Sequence, residues 1–197
     1  MAKAIDYYFA TISPWAFLGH DRFVKIARDA GAAIAVKPVN LGEVFPVSGG
    51  LPLSKRAPQR QAYRLVELAR WSEHLGIRMN VQPKYFPANG DLAAYWVLAA
   101  NEAGAGSALA LAGAIGRALW VEEKDIADAA TLAALARDLG LDVHALEARV
   151  PAMAERYAAL TKEAIDRGVF GAPSYVIDGE IFWGQDRLDF VARKLAK

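Results

Sequence analysis

The chain has 197 residues, 54% of them hydrophobic, and a formal net charge of +1, enough length to bury a real core as one domain or as a domain with a large insertion. A balance so close to neutrality exerts no global pull toward nucleic acid or a membrane surface, and no apolar window is long enough to span a bilayer. The absence of any cysteine excludes disulfides, thiolate metal sites and a sulfur nucleophile carried by the protein itself, while leaving the compartment open.

The opening Met1-Ala2-Lys3-Ala4-Ile5-Asp6 does not read as a signal peptide, because its apolar stretch is short and Asp6 interrupts it. A cytoplasmic location is the expectation. Ile5 to Ala10 is short and rich in aromatic residues, the signature of a buried strand. A helix is expected from Pro14 to Ala30, with Phe17, Leu18, Phe23, Val24 and Ala27 near helical spacing and Gly31 just past its end. Ile34 to Val39 reads as a second strand, completing a right-handed parallel β-α-β unit.

Leu41 to Pro58 holds Gly42, Pro46, Gly49, Gly50, Pro52 and Pro58, and is expected to be a loop long enough to serve a function. A helix from Gln59 to Leu75 stops at Gly76, and an irregular segment to Gly90 carries Tyr85 and Phe86. From Asp91 to Arg167 the pattern is helical almost throughout. Asp91 and Asp142 are candidate caps, Gly104-Ala105-Gly106 and Gly140 are breaks, and Pro151 suits the start of the last helix of the run. Ser174 to Ile177, then Asp178-Gly179, then Glu180 to Trp183 is a hairpin signal. A C-terminal helix follows from Asp186, with Asp186 as its N-cap.

A strand, a motif at a helix start and a late proline before a hairpin together point to an α/β, thioredoxin-like fold with a large all-helical insertion. Its two parts would be a discontinuous domain of residues 1–50 and 166–197 and a helical insertion of residues 51–165. Thioredoxin-like redox enzymes place Cys-x-x-Cys at that helix start. Here the position holds Ser13-Pro14-Trp15, so disulfide exchange is excluded and any thiol chemistry needs a thiol from outside the protein.

Each candidate motif has a plain alternative. Ser13-Pro14 is a favoured helix start by itself; functionally, the free N–H groups and dipole of that terminus would favour an anion such as a thiolate. Ala172-Pro173 is either an ordinary trans proline or a cis proline that turns Ala172 toward a peptide-like ligand. Gln185-Asp186-Arg187 is either a cap or a second helix start that binds an amino-acid head group. Lys55, Arg56, Arg60 and Arg64 form either a solvated face or an attractor for a small polyanion. Trp15, Phe45, Tyr85, Phe86 and Trp120 are either core or the lining of an aromatic pocket. The histidines lack metal-ligand spacing and no metal is assigned; no dinucleotide fingerprint, phosphate loop or nucleophile elbow is present.

Taken together, Ser13-Pro14-Trp15 after Tyr8-Phe9, Phe170-Gly171-Ala172-Pro173 and Trp183-Gly184-Gln185-Asp186-Arg187 resemble the family of 2-hydroxychromene-2-carboxylate isomerases and kappa-class glutathione transferases. Looser agreement runs through Lys37-Pro38, Ser48-Gly49-Gly50, Arg70-Trp71 and Gly76-Ile77. The resemblance covers nearly the whole chain and implies a thioredoxin domain with a helical insertion, like the DsbA-like oxidoreductases. It implies glutathione as cofactor: Ser13 on the sulfur, Ala172 with Pro173 on the cysteinyl backbone, Gly184, Gln185 and Asp186 at the γ-glutamyl end, and Arg60 near the glycyl end. Gly50 stands where the family often has an asparagine, and has no side chain to make that contact. Trp15, Tyr85 and Phe86 would form the pocket for a small aromatic substrate.

In the isomerase branch, glutathione thiolate adds reversibly to a conjugated carbon, the double bond becomes single and rotates, and the thiolate leaves, giving trans-o-hydroxybenzylidenepyruvate. Nothing is oxidised, so a chain without cysteine suffices. The resemblance also implies a homodimer. The alternatives are a kappa-like glutathione transferase acting on an aromatic electrophile and a non-catalytic glutathione- or peptide-binding module, the latter favoured by the Gly50 departure. No nucleic acid or membrane partner is expected.

Overall fold

The computed structural model describes residues 3–197; Met1 and Ala2, where the segment read for a signal sequence begins, lie outside them. Strand β1 (Ala4–Phe9) leads through Ala10-Thr11-Ile12 into α1 (Pro14–Asp29), and β2 (Ala33–Pro38) follows. Strands β3 (Ser174–Ile177) and β4 (Glu180–Trp183) complete one sheet in the order β2-β1-β3-β4. The pair β1–β2 is parallel, with Tyr7 opposite Val36. The pair β1–β3 is antiparallel, with Tyr7 opposite Tyr175. Asp178 and Gly179 both have positive φ, 52° and 79°, the geometry a two-residue hairpin needs to match the twist of its strands.

Alternation along β1 sorts its side chains between two faces. Tyr7 stacks on Phe9 and Tyr175, with centroids 4.6 and 5.5 Å away, and tilts against Phe23 of α1. Its neighbour Tyr8 donates a hydrogen bond to Glu163 Oε1 at 2.7 Å, on α8 (Met153–Asp166). Lys37 Nζ sits 2.7 Å from both Asp6 and Glu163 on that same side. Burial pushes the Glu163 carboxyl up, but hydrogen bonds from Lys37 and Tyr8 outweigh it and hold the group below its usual range.

The long middle of the chain is helical: α3 (Pro58–Leu75), α4 (Asp91–Asn101), α5 (Ala105–Trp120), α6 (Ala129–Asp138) and α7 (Val143–Arg149) precede α8. A single cluster of buried side chains runs from Ile5, Tyr7 and Phe23 through Trp96, Leu111, Ile115 and Leu160, so this middle and the sheet share a core. Gly113 and Gly116 let α5 lie close along α1. A Cβ at Gly113 would meet the His20 ring at 3.1 Å, and one at Gly116 the Phe17 ring at 3.0 Å. Among the described residues no helix is long and apolar enough to cross a membrane.

Several local expectations are corrected. Leu41–Ser48 is a helix, α2, not part of a loop. Asn40 caps it, accepting from Gly42 N at 2.8 Å, and the buried Val44 anchors it. These contacts outweigh Gly42 and Pro46, whose helix penalties are real but local. Asp91 is the first residue of α4 and Gly90 its cap, because Gly90 is pressed against Thr11, whose hydroxyl donates to Gly90 O at 2.9 Å. Pro151 lies in a 3-10 turn before α8 instead of opening that helix. Asp186 is not the cap of the last helix, α9 (Leu188–Leu195); it lies in a 3-10 turn and its carboxylate turns to Arg187.

Candidate active site

In open sheets of this type, ligands bind beyond the carboxyl ends of the parallel strands, where successive connections leave in different directions. Here that place is the end of β1, since α1 leads from it to β2 on one side while β3 lies on the other. Ser13 follows the end of β1. Ala172 and Pro173 precede Ser174, which pairs with Tyr8. Gly184 follows Trp183, which pairs with Ser174, and its N–H donates to Pro173 O at 2.8 Å. Sheet register therefore brings three of the sequence-level motifs to one end of the fold.

Ser13 is the N-cap of α1, with Oγ accepting from Ala16 N at 3.2 Å. An oxygen that accepts one hydrogen bond keeps its own proton to donate elsewhere. Pro14 has no N–H, and the Phe17 N–H goes to Ser13 O at 3.0 Å. Among the described residues this leaves Trp15 N–H as the first-turn donor without a partner, beside the Ser13 hydroxyl. Both aim positive charge at the same terminus, where the helix dipole adds to it.

Ser13 is only 7% exposed. It lines a crevice between α1 and α5 together with Ala16, Phe17, His20, Gly113 and Gly116, with a free volume of about 10 Å³. That is room for about one water, so a ligand sulfur would meet Ser13 at the mouth of the crevice and not inside it. A larger concavity, about 710 Å³, lies on the outer side of the hairpin between Phe170, Trp183, Phe190 and Arg193, away from Ser13.

His20 closes the floor of the crevice. Its Nε2–H donates to Leu109 O at 2.9 Å, and Nδ1 faces Tyr7 Oη at 3.4 Å. Burial lowers its pKa, so the imidazole is neutral and adds no charge beneath Ser13. Metal-ligand spacing alone says nothing of this role for His20. Its position seven residues after Ser13, in step with Ala16 and Phe17 on one helix face, was the available signal.

The Ala172–Pro173 bond is cis. Ala172 is half-buried, and neither its N–H nor its C=O has a main-chain partner among the described residues. It offers a short sheet edge facing Ser13's end of the fold. The Gln185 side chain is buried, 2% exposed, and its Oε1 accepts from Arg22 Nη1 at 2.7 Å. What the 184–186 turn presents to a ligand is main chain and the exposed Asp186 carboxylate. Gly50 is where it is for space: a Cβ there would sit 2.4 Å from the Phe45 ring, so Phe45 fills the place a longer side chain would take.

Trp15 and Tyr85 are half-buried. Phe86 packs on Trp120 with centroids 4.9 Å apart, and Arg64 lies over both rings, 5.0 and 5.9 Å from their centroids. Arg60, one turn before Arg64 on α3, is exposed. No group of three or more His, Cys, Asp or Glu among the described residues is placed to hold a metal ion.

These features can be set beside known proteins. A DSBA-like thioredoxin domain model matches residues 4–196. A 2-hydroxychromene-2-carboxylate isomerase of Sphingobium xenophagum is 32% identical over 194 residues, spanning 97% of each chain. The solved structure of a 2-hydroxychromene-2-carboxylate isomerase superposes with a TM-score of 0.79 at 29% identity, over 98% of this chain and 94% of that one. The cytosolic disulfide reductase DsbM from Pseudomonas aeruginosa, solved with GSH, shares the fold at a TM-score of 0.69 and 18% identity, over 98% of this chain and 100% of its own. The chain belongs to the DsbA-like thioredoxin-domain family and, within it, to the family of the 2-hydroxychromene-2-carboxylate isomerases.

Proposed function

We propose that this protein is a glutathione-dependent isomerase that interconverts 2-hydroxychromene-2-carboxylate and trans-o-hydroxybenzylidenepyruvate. The observation that carries the reading is the Ser13 hydroxyl, held by its cap bond to Ala16 N at the helix start where redox relatives of this fold need a cysteine. A hydroxyl there can hold a thiolate but cannot exchange a disulfide.

The residues present fit a peptide-like thiol. Ser13 O–H and Trp15 N–H would bind its sulfur, the unpaired main chain of Ala172 its backbone, the main chain of Gly184 and Gln185 with the Asp186 carboxylate its amino-acid end, and Arg60 its opposite carboxylate. Bound there, glutathione would supply a nucleophile that adds to the substrate's conjugated carbon and leaves again, unchanged. The chain's own contribution is electrostatic and geometric. Two donors and a helix terminus favour the charged sulfur, while Phe86, Tyr85 and Trp15 offer flat apolar surface to an aromatic substrate.

The test is turnover of 2-hydroxychromene-2-carboxylate by purified protein with glutathione in catalytic amount, followed by the absorbance of the opened product and by assay of free thiol. Many turnovers per glutathione with thiol conserved are expected. No turnover, or consumption of one glutathione per product, would overturn the reading.

A further inference from the structure

Arg64 stands out among the cations of this fold. Lys37 is half-buried but paired with Asp6 and Glu163, and Lys3 reaches the carbonyls of Lys194 and Leu195. Arg64 is half-buried, yet among the described residues no carboxylate lies within ion-pair distance of it and no hydrogen bond holds it. Burial, and then the charge of nearby Arg56, bring its pKa down to about 10. Its contacts are the faces of Phe86 and Trp120. Such stacking compensates only part of a desolvated charge and leaves the hydrogen-bonding edge of the guanidinium unused.

The cluster lies at the level of Ser13. Along the α1–α5 seam, Gly113 meets His20 and Gly116 meets Phe17, so the helices run antiparallel and each step forward on α5 is a step back on α1. Continuing that register by one turn brings Trp120 level with Ser13. Phe86 and Tyr85 belong to the segment anchored on Thr11 through Gly90. A half-buried cation without a partner, resting on aromatic faces at the reacting end of the fold, matches one ligand chemistry: a carboxylate carried on a flat conjugated system.

We propose that Arg64, with Phe86 and Trp120, forms the subsite that takes the substrate's carboxylate and so fixes which part of the conjugated chain faces Ser13. The inference rests on the function proposed above and deepens it. Glutathione also carries a carboxylate, and the experiment separates the two sources.

Binding of benzylidenepyruvate and of its methyl ester to the wild-type protein is measured by calorimetry, with glutathione present. The acid should bind about 10- to 100-fold more tightly, the worth of a charge-assisted hydrogen bond. In Arg64→Gln that preference should collapse toward unity, and in Arg64→Lys it should return in part. The KM for the chromene carboxylate should rise in Arg64→Gln while the KM for glutathione and the thermal midpoint stay put. Equal binding of acid and ester by the wild-type protein overturns the subsite, whatever the variants do. A rise in the KM for glutathione alone also overturns it, by assigning Arg64 to the cofactor. Absence of turnover by the wild-type protein, with acid still preferred over ester, overturns the proposed reaction and leaves the subsite standing.

Discussion

Ser13 carries two duties that a pair of substitutions can separate. Its Oγ accepts from Ala16 N at 3.2 Å as a helix cap, and its proton is free for a thiolate. Replacement by alanine removes both functions. Losing a serine cap costs about 1 kcal/mol, which lowers the thermal midpoint of a chain this size by about 2–4 °C. Glycine is nearly as good a cap as serine, so Ser13→Gly should cost only a few tenths of a kcal/mol and leave the midpoint almost unchanged. Neither variant can donate to sulfur. A hydrogen bond to a charged group contributes about 1.5–3 kcal/mol. Its loss should raise the pKa of bound glutathione by about 1–2 units and cut turnover about 10- to 150-fold at neutral pH. The assay is the ultraviolet absorbance of the thiolate against pH in the binary complex, beside steady-state turnover and thermal melts. The expected pattern is two variants alike in activity and thiol pKa but different in stability. If Ser13→Gly turns over like the wild-type protein with an unshifted thiol pKa, Ser13 is a cap and nothing more.

Two further outcomes follow from the α1–α5 seam. Gly116→Leu drives a side chain into the Phe17 ring, which already stands 3.0 Å from where a Cβ would be; denaturant unfolding should show a loss of about 1–3 kcal/mol, and an unchanged midpoint would mean that the helices part freely. Burial depresses the His20 pKa in the folded chain, so the unfolded chain takes up the proton first, and folding stability should decline as pH falls below about 6.5 toward the folded-state value. His20→Gln, which can still donate to Leu109 O, should remove that component; an unaltered pH profile between wild type and variant counts against it.

What could be read from the residues divides along a physical line. Strand β1, the parallel unit to β2 and the Asp178-Gly179 hairpin were visible because period and turn chemistry are local. Helix α2 was hidden, because Gly42 and Pro46 argue locally against it. What holds it is tertiary: the Asn40 main-chain N–H donates to Thr161 Oγ1 at 3.0 Å, on a helix far along the sequence. The motif positions of the candidate site were legible, but the direction of a side chain was not. Gln185 points to Arg22 of α1, and no pattern in the turn that bears it encodes that partner. Gly50 looked like the loss of a contact; its neighbour Phe45 occupies the space instead.

The central strand β1 is synthesised long before one of its two neighbours, β3, which begins only at Ser174. The sheet cannot close until the β3–β4 hairpin has been made. Until then, β1 carries an open edge flanked by Tyr7 and Phe9, the kind of surface chaperones shield. Loss of the β3–β4 hairpin by truncation or premature termination would leave a half-built sheet with a sticky flank, and so a chain marked for degradation instead of a weakened enzyme.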